Sequence, residues 1–271
     1  MAESISWIDN AGVSTALDGT GNYLAVVGRN GMWMPPVSFI EQDIPLQPGT
    51  VLRLVKVLPR PVLIPILIQG ASNTESSFYT SLRFLENAMN PLRGDGHLKF
   101  TAADGTIRKL TCRLQSGFEG DESATARGPA NAVVPFQFYA NDPFWYDNAS
   151  TTVSKTNLTL PSFTITNTGD AEMWPVWTIH GPGSSLVVTD TTTGLLFSTG
   201  DVLGGSDVLV IDTTPGVKTM TLNGVNDFTN LVNSSTLFSL TTGANAITVA
   251  LAGTSSATTL SVVYKQRWNG V

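Results

Sequence analysis

The chain has 271 residues, of which 42% are hydrophobic, 8% aromatic and only 13% charged, with a formal net charge of −6. An average soluble domain carries about a quarter charged residues. Here Thr, Ser, Asn and Gly fill the gap, which excludes a coiled coil, a charge-driven disordered tail and, for want of surplus positive charge, a DNA reader. A β-rich globular protein of about two domains remains, since a domain runs to roughly 150 residues.

The first residues, 1–7, show no basic segment followed by an apolar core, so no secretory signal is expected and synthesis is expected in the cytoplasm. The longest apolar run, residues 62–68, is interrupted by Pro65. It is far shorter than the roughly 20 residues a spanning helix needs, so no membrane insertion is expected. Residues 50–58 are apolar and β-branched, the composition of a strand. The segment 58–69 continues extended, but Pro61 and Pro65 cannot donate to a ladder, which suggests an edge strand or a projecting arm.

One helix is expected, over about 73–90. Ser72 and Glu75 have capping-box spacing, and Phe78, Leu82, Leu85 and Met89 recur at three and four residues to make an apolar face. Pro91 ends the pattern. Strands follow at 96–100 and 107–114, joined through Asp104-Gly105, a strong hairpin signal, and another is expected at 133–139. Gly94, Gly96, Gly105, Gly194 and Gly224 are read as turn glycines. Cys112 has no partner for a disulfide or a metal and reads as a half-buried strand residue.

Residues 1–150 hold 25 charged side chains and residues 151–271 hold 11. A boundary is therefore placed in the polar stretch 148–152, giving domains 1–148 and 149–271. The second domain reads as nine or so short strands, near 163–166, 176–179, 186–188, 195–197, 208–211, 217–222, 237–240, 246–251 and 260–264. Turn signals separate them, the pattern of an antiparallel sandwich or jelly roll. The fold class is mainly β: an N-terminal β-sandwich-like domain with one helix and a C-terminal antiparallel β-sandwich.

Chemistry is sparse. His97 and His180 are the only histidines, and neither has a metal-ligand neighbour at a useful spacing. Glu119 with Asp121 and Glu122, and Asp142 with Asp147, are the carboxylate pairs that glycoside hydrolysis would need, but acids in such a loop are ordinarily solvated. No catalytic residue, cofactor or metal is expected, nor an enzyme. The Asn-x-Ser/Thr triplets at Asn148, Asn157 and Asn233 are expected by chance in so Thr-rich a chain and are assigned no glycans. Trp145, Tyr146, Trp174 and Trp177 lie around the domain junction and read as core or seam aromatics together with Asp142 and Pro143. The competing reading of these rings is a sugar-stacking platform on a carbohydrate-binding or host-receptor adhesion module.

The order of several segments resembles the siphovirus distal tail protein (Dit) family of phage tail components. These are Leu58-Pro59-Arg60-Pro61-Val62-Leu63-Ile64-Pro65, the helix ending in Leu85-Glu86-Asn87-Ala88-Met89-Asn90-Pro91, the Gly94-Asp95-Gly96 turn, the Ala103-Asp104-Gly105-Thr106 hairpin and Phe138-Tyr139-Ala140-Asn141-Asp142-Pro143-Phe144-Trp145-Tyr146. Asn167-Thr168-Gly169-Asp170, Trp174-Pro175-Val176-Trp177, Gly181-Pro182-Gly183, Thr192-Thr193-Gly194, Val210-Ile211-Asp212-Thr213 and Leu222-Asn223-Gly224 extend the likeness through the second domain. The resemblance implies a structural virion protein of a long, non-contractile tail. It implies a homo-hexameric ring at the tail tip between the tail tube protein and the hub or baseplate, through which DNA passes without specific binding. It also implies a ring-forming N-terminal domain whose arm embraces a neighbour, with Arg60, Pro61, Leu63 and Pro65 at the subunit interface. The C-terminal sandwich would be galectin-like or carbohydrate-module-like and would point outward, with a cell-surface glycan as a further partner.

Overall fold

The period-2 alternation of the sequence is realised as antiparallel sheet in the computed structural model, which describes residues 3–46, 48–120, 126–156 and 162–271. Two units form, residues 1–148 with 268–271, and residues 149–267. The last four residues thus return to the first unit instead of ending in the second.

The first unit comprises β1 (Ser4–Ile8), β2 (Ser14–Ala16), β3 (Tyr23–Ala25), β4 (Val37–Asp43), β5 (Thr50–Val57), β6 (Arg60–Gln69), α1 (Glu75–Ala88), β7 (Gly96–Thr101), β8 (Ile107–Ser116), β9 (Ala126–Arg127), β10 (Asn131–Ala140) and β11 (Trp145–Asp147). Its main sheet runs β2-β1-β7-β8-β10-β6-β3, while β4 and β5, among the described residues, pair only with each other. Trp7 on β1 lies 5.2 Å, ring to ring, from Phe138 on β10. Strands three places apart in the sheet therefore touch, so the sheet curls around its core. Trp7 Nε1 also donates to the Ala88 carbonyl at 2.8 Å, which fixes the helix over that core.

The helix begins later than expected. Asn73 has φ 53°, a left-handed conformation that cannot continue into a helix. Thr74 is the cap instead: its Oγ1 accepts from Ser77 N at 3.3 Å, and Ser77 Oγ accepts from Thr74 N at 3.2 Å. Ser72 and Glu75 are not the capping pair. The apolar stripe holds, with Phe78, Leu85 and Met89 buried and Leu82 packed against the same core.

Segment 60–69 is neither an edge strand nor an arm. It pairs with β10 over its whole length, from Arg60 opposite Ala140 to Gln69 opposite Asn131, and with β3 on its other side. The prolines fit because of the direction in which their nitrogens point. Leu63 exchanges hydrogen bonds with Asn30, on the side away from β10. Pro61 and Pro65 share that phase, so the donors they lack would have faced the irregular segment that follows β3 and not the long β10 ladder. Val62, Ile64, Ile66 and Ile68 fall on the core face, all buried.

Arg60 is buried as well, at 0% exposure. Its guanidinium donates to the carbonyls of Gly31 at 3.0 Å, Trp33 at 2.6 Å and Asn269. Burial lowers its pKa to about 10, which leaves it charged at neutral pH. The returning C-terminal residues are held a second time by Arg108, which stacks 4.1 Å over the Trp268 ring and donates to the Gly270 carbonyl. Trp268 Nε1 donates to Asp147 Oδ1 at 2.7 Å. Gly94, Gly105, Gly194 and Gly224 all have positive φ. Gly96 does not: it opens β7 against Trp7, whose Cζ2 would lie 2.2 Å from any added Cβ. It is a close-approach glycine, not a turn glycine.

The second unit comprises β12 (Thr151–Thr156), β13 (Ser162–Asn167), β14 (Val176–His180), β15 (Gly183–Asp190), β16 (Leu195–Ser198), β17 (Val202–Leu203), β18 (Val208–Asp212), β19 (Thr219–Leu222), β20 (Val225–Asn226), β21 (Gly243–Ala252) and β22 (Thr259–Tyr264); β23 (Arg267–Trp268) leads back to the first unit. One sheet runs β12-β22-β14-β18-β19-β20 and the other β13-β21-β15-β16 with β17 on β15. Their inner faces share one core, centred on Trp177, whose ring meets Phe197 at 5.7 Å and Phe238 at 6.2 Å. Part of the expected linker is strand β12, paired along β22. The expected strand at 237–240 is instead an irregular segment that buries Leu237, Phe238 and Leu240 and makes a single bridge, Met173 to Leu240.

Two outcomes follow from these environments. Replacing Arg60 with Met leaves three inward-facing carbonyls without their donor and should destabilise the first unit by about 3 kcal/mol in a urea titration. Lys should not restore it, because one ammonium cannot span three acceptors; unaltered stability of either variant contradicts the clamp. Burial pushes the Cys112 thiol from 9.0 up to about 12. The unfolded chain releases that proton near pH 9 and the folded chain holds it, so stability should fall as pH climbs from about 9 toward 12. At pH 8 iodoacetamide should modify Cys112 only as fast as the unit unfolds; labelling as quick as in denaturant would contradict its burial.

Candidate assembly surface

The side chains facing outward from the first unit are unusually apolar. In the β4–β5 hairpin, Val37 faces Val57 and Phe39 faces Val55, while the next pair, Ile40 and Leu54, points to the opposite face. Both faces are open, with Phe39 58% and Leu54 55% exposed, and Leu46 stands clear of the chain. A bulge between Ile40 and Glu41 bends the hairpin, and Thr50–Glu41 and Arg53–Gln42 side-chain hydrogen bonds, 2.8 and 2.7 Å long, tie its strands together. A lone two-stranded hairpin is marginal in water, and exposed apolar faces of this kind mark an interaction surface. Trp33 and Met34, just before the hairpin, are exposed too.

A second apolar strip lies on the outer face of β6 and β10. Pro65 is opposite Pro135, Leu67 opposite Val133, and Leu24 of β3 opposite Leu67. Leu63 and Pro65 are half-buried on this strip, and Pro61 is exposed at its end. Of the four residues expected at a subunit contact, these three are available to a neighbour; Arg60 is committed inside its own unit. Residues 50–58 look like any buried apolar strand in the sequence; what distinguishes them is that, among the described residues, they pair with β4 alone and join neither larger sheet.

The remaining candidates resolve into structural roles. Asp142 accepts from Phe144 N at 3.3 Å and from the Tyr146 hydroxyl, forming a turn around the half-buried Tyr146 and the buried Pro143. Asp147 receives Trp268, so Asp142 and Asp147 serve as hydrogen-bond acceptors within their own unit. Trp145 is buried in the first core and Trp177 in the second. Trp174 is half-buried, with Lys218 Nζ 5.9 Å above its ring. His97 Nδ1 lies 3.1 Å from Thr111 Oγ1 across β7 and β8. Asp121, Glu122 and Asn157 lie outside the described residues. Among the described residues no group of three or more His, Cys, Asp or Glu gathers as a metal site, and no helix is long and apolar enough to cross a membrane.

Residues 168–268 match the family model described as siphovirus-type tail component, C-terminal domain. The chain is similar to the crystal structure of the SPP1 Dit protein (gp 19.1), described as a paradigm of the hub adsorption apparatus in phages infecting Gram-positive bacteria. That likeness has a TM-score of 0.74 at 14% identity and covers 98% of this chain and 99% of the other. It is also similar to chains of the phage P2 baseplate in its activated conformation, with Ca (TM-score 0.57) and with Sr (TM-score 0.59), each at 8% identity over 100% of both chains. No curated protein matches the chain. Residues 168–268 therefore match a siphovirus-type tail-component C-terminal domain, on a chain whose fold is similar to that of a distal tail protein along its length.

Proposed function

We propose that six copies of this chain close a ring at the tail tip, joining the tail tube protein to the hub or baseplate and leaving a central passage for DNA. The observation that carries the reading is the β4–β5 hairpin. Among the described residues it pairs with no other strand, and it exposes large apolar side chains on both faces. A closed ring of identical copies uses heterologous contacts, in which one patch meets a different patch on its neighbour. The hairpin and the strip on β6 and β10 supply two such patches. Burying one large apolar side chain is worth about 1.5–3 kcal/mol, so the exposed residues of the hairpin together favour a stable seam.

The arm expected at 58–69 is thus assigned to residues 37–57, immediately before it. Synthesis in the host cytoplasm and assembly into the virion tail complete the reading. The ring lumen is proposed to be neutral or acidic, in keeping with the net charge of −6, because basic side chains there would retain DNA in transit. Of the rings on which the adhesion alternative rests, Trp145 and Trp177 are at 0% exposure, which leaves it the half-buried Tyr146 and Trp174.

Size-exclusion chromatography with light scattering tests the seam. The wild-type chain should elute at about six times 28.8 kDa. Phe39→Glu on one hairpin face combined with Leu54→Glu on the other should leave a folded 28.8 kDa monomer, because both positions are exposed. A variant that assembles like the wild type would remove the hairpin from the seam. A wild-type chain that stays monomeric at high concentration would count against self-assembly.

A further inference from the structure

Charge is scarce after residue 150, yet two acids of the second unit, Asp201 and Asp227, are brought within hydrogen-bonding reach of each other. The backbone places them there. Thr199 to Asp201 connect β16 to β17, and Asp227 to Asn230 form the turn after β20. The two segments are clipped together by the Thr199–Leu231 bridge and by Gly200 N donating to the Asn230 carbonyl at 3.3 Å. Asp201 is fixed further by Ser185 N, which donates to its carbonyl at 3.0 Å.

Between the carboxylates stands the amide of Asn230, whose Nδ2 donates to Asp201 Oδ1 at 2.9 Å and to Asp227 Oδ1 at 2.8 Å. That satisfies one oxygen of each. The other two, Asp201 Oδ2 and Asp227 Oδ2, are buried and receive no hydrogen bond. Thr199, at 3% exposure, sets its Oγ1 beside Asp201, and that oxygen also completes no hydrogen bond. Asp201 itself is 8% exposed, and burial together with the neighbouring Asp227 charge raises its pKa. Three buried oxygens, two of them on carboxylates, thus lie side by side, and among the described residues no positive group is paired with them. Asn230, which bridges the two carboxylates, is itself exposed, so the pair lies just beneath the surface.

We propose that Asp201, Asp227 and Thr199 bind a divalent cation, with Ca²⁺ the best match. The donor set is all oxygen, which suits a hard cation and offers zinc neither the nitrogen nor the sulfur it prefers. Calcium tolerates irregular geometry and completes its shell with water, whereas magnesium demands a near-ideal octahedron. The bound ion neutralises the facing carboxylates and pins the segment at 199–201 to the turn at 227–231. Two carboxylates on a partly open site correspond to a Kd of about 10⁻⁴–10⁻³ M.

The test uses the full chain, stripped with EDTA and dialysed. Flow dialysis with radioactive Ca²⁺ should show one ion bound per chain, saturating at about 0.1–1 mM. In thermal unfolding, Ca²⁺ at ten times Kd should raise Tm by about 4 °C where KCl of equal ionic strength does not. Asp227→Asn, at a half-buried position, should keep the wild-type circular dichroism and bind at least about tenfold more weakly. Thr199→Val should weaken binding by a smaller factor. Saturable binding lost in Asp227→Asn establishes the site. Two results overturn it: a wild-type chain with no saturable Ca²⁺ binding whose Tm rises when Asp227 is changed to Asn, meaning the pair is relieved by a shared proton, or an Asp227→Asn chain that binds Ca²⁺ like the wild type.

Discussion

Strand β6 and its ladder with β10 set the geometry on which the rest of the first unit depends. Ten residues pair one for one, so the side-chain period of 2 divides them between a buried face and an open one. Sliding that register by one residue would bury Pro61, Leu63 and Pro65 and expose Val62, Ile64 and Ile66. Arg60 pins one end of the ladder, because its guanidinium must sit under the carbonyls of Gly31 and Trp33. The hairpin lies immediately before this pinned end and the helix follows the other end. Arg60 thus holds the residues that flank the hairpin on both sides, Trp33 before it and the start of β6 after it.

The low charge of the chain acquires a physical explanation in the second unit. Tight antiparallel sandwiches need many buried turn and edge groups satisfied without ion pairs, which are costly to desolvate. Neutral side chains do this here. Asn245 Oδ1 accepts from Thr241 N at 3.0 Å while its Nδ2 donates to the Thr241 carbonyl at 2.8 Å. Asn167 Nδ2 donates to the Ala171 carbonyl at 2.9 Å while its Oδ1 accepts from Gly169 N at 3.0 Å. Thr213 Oγ1 donates to the Pro175 carbonyl at 2.7 Å. Thr and Asn are abundant because they brace backbone, and against that background the paired carboxylates of Asp201 and Asp227 stand out as something other than bracing.

Local signals in the sequence translated well where the governing physics was local. The Phe78, Leu82, Leu85, Met89 stripe made a helix, and Asp104-Gly105 made the turn between β7 and β8. Asn223 and Gly224, both at positive φ, made the tight turn between β19 and β20. What was not legible depended on partners far along the chain. Pro61 and Pro65 argued for an edge because the sequence does not reveal which side of a strand a missing donor faces. Residues 50–57 carry the composition of a core strand and find no core. Gly96 resembled a turn glycine because Trp7, 89 positions earlier, is what excludes its side chain. Trp268 and Asn269, which complete the first unit, come from the other end of the chain, and no local pattern announces such a return.

The central claim is that the hairpin is a seam element whose two apolar faces are covered only when copies meet. Hydrogen exchange read peptide by peptide addresses this directly, because it reports the covering of residues 37–57 independently of the particle's size. In dilute, monomeric chain the amides of this segment should exchange almost as fast as open loops, while those of β6 and β10 are protected. At concentrations where copies assemble, the hairpin amides should slow by about a hundredfold or more, with β6 and β10 little changed. Hairpin exchange that is already slow in the monomer, or that stays fast after assembly, would contradict the account.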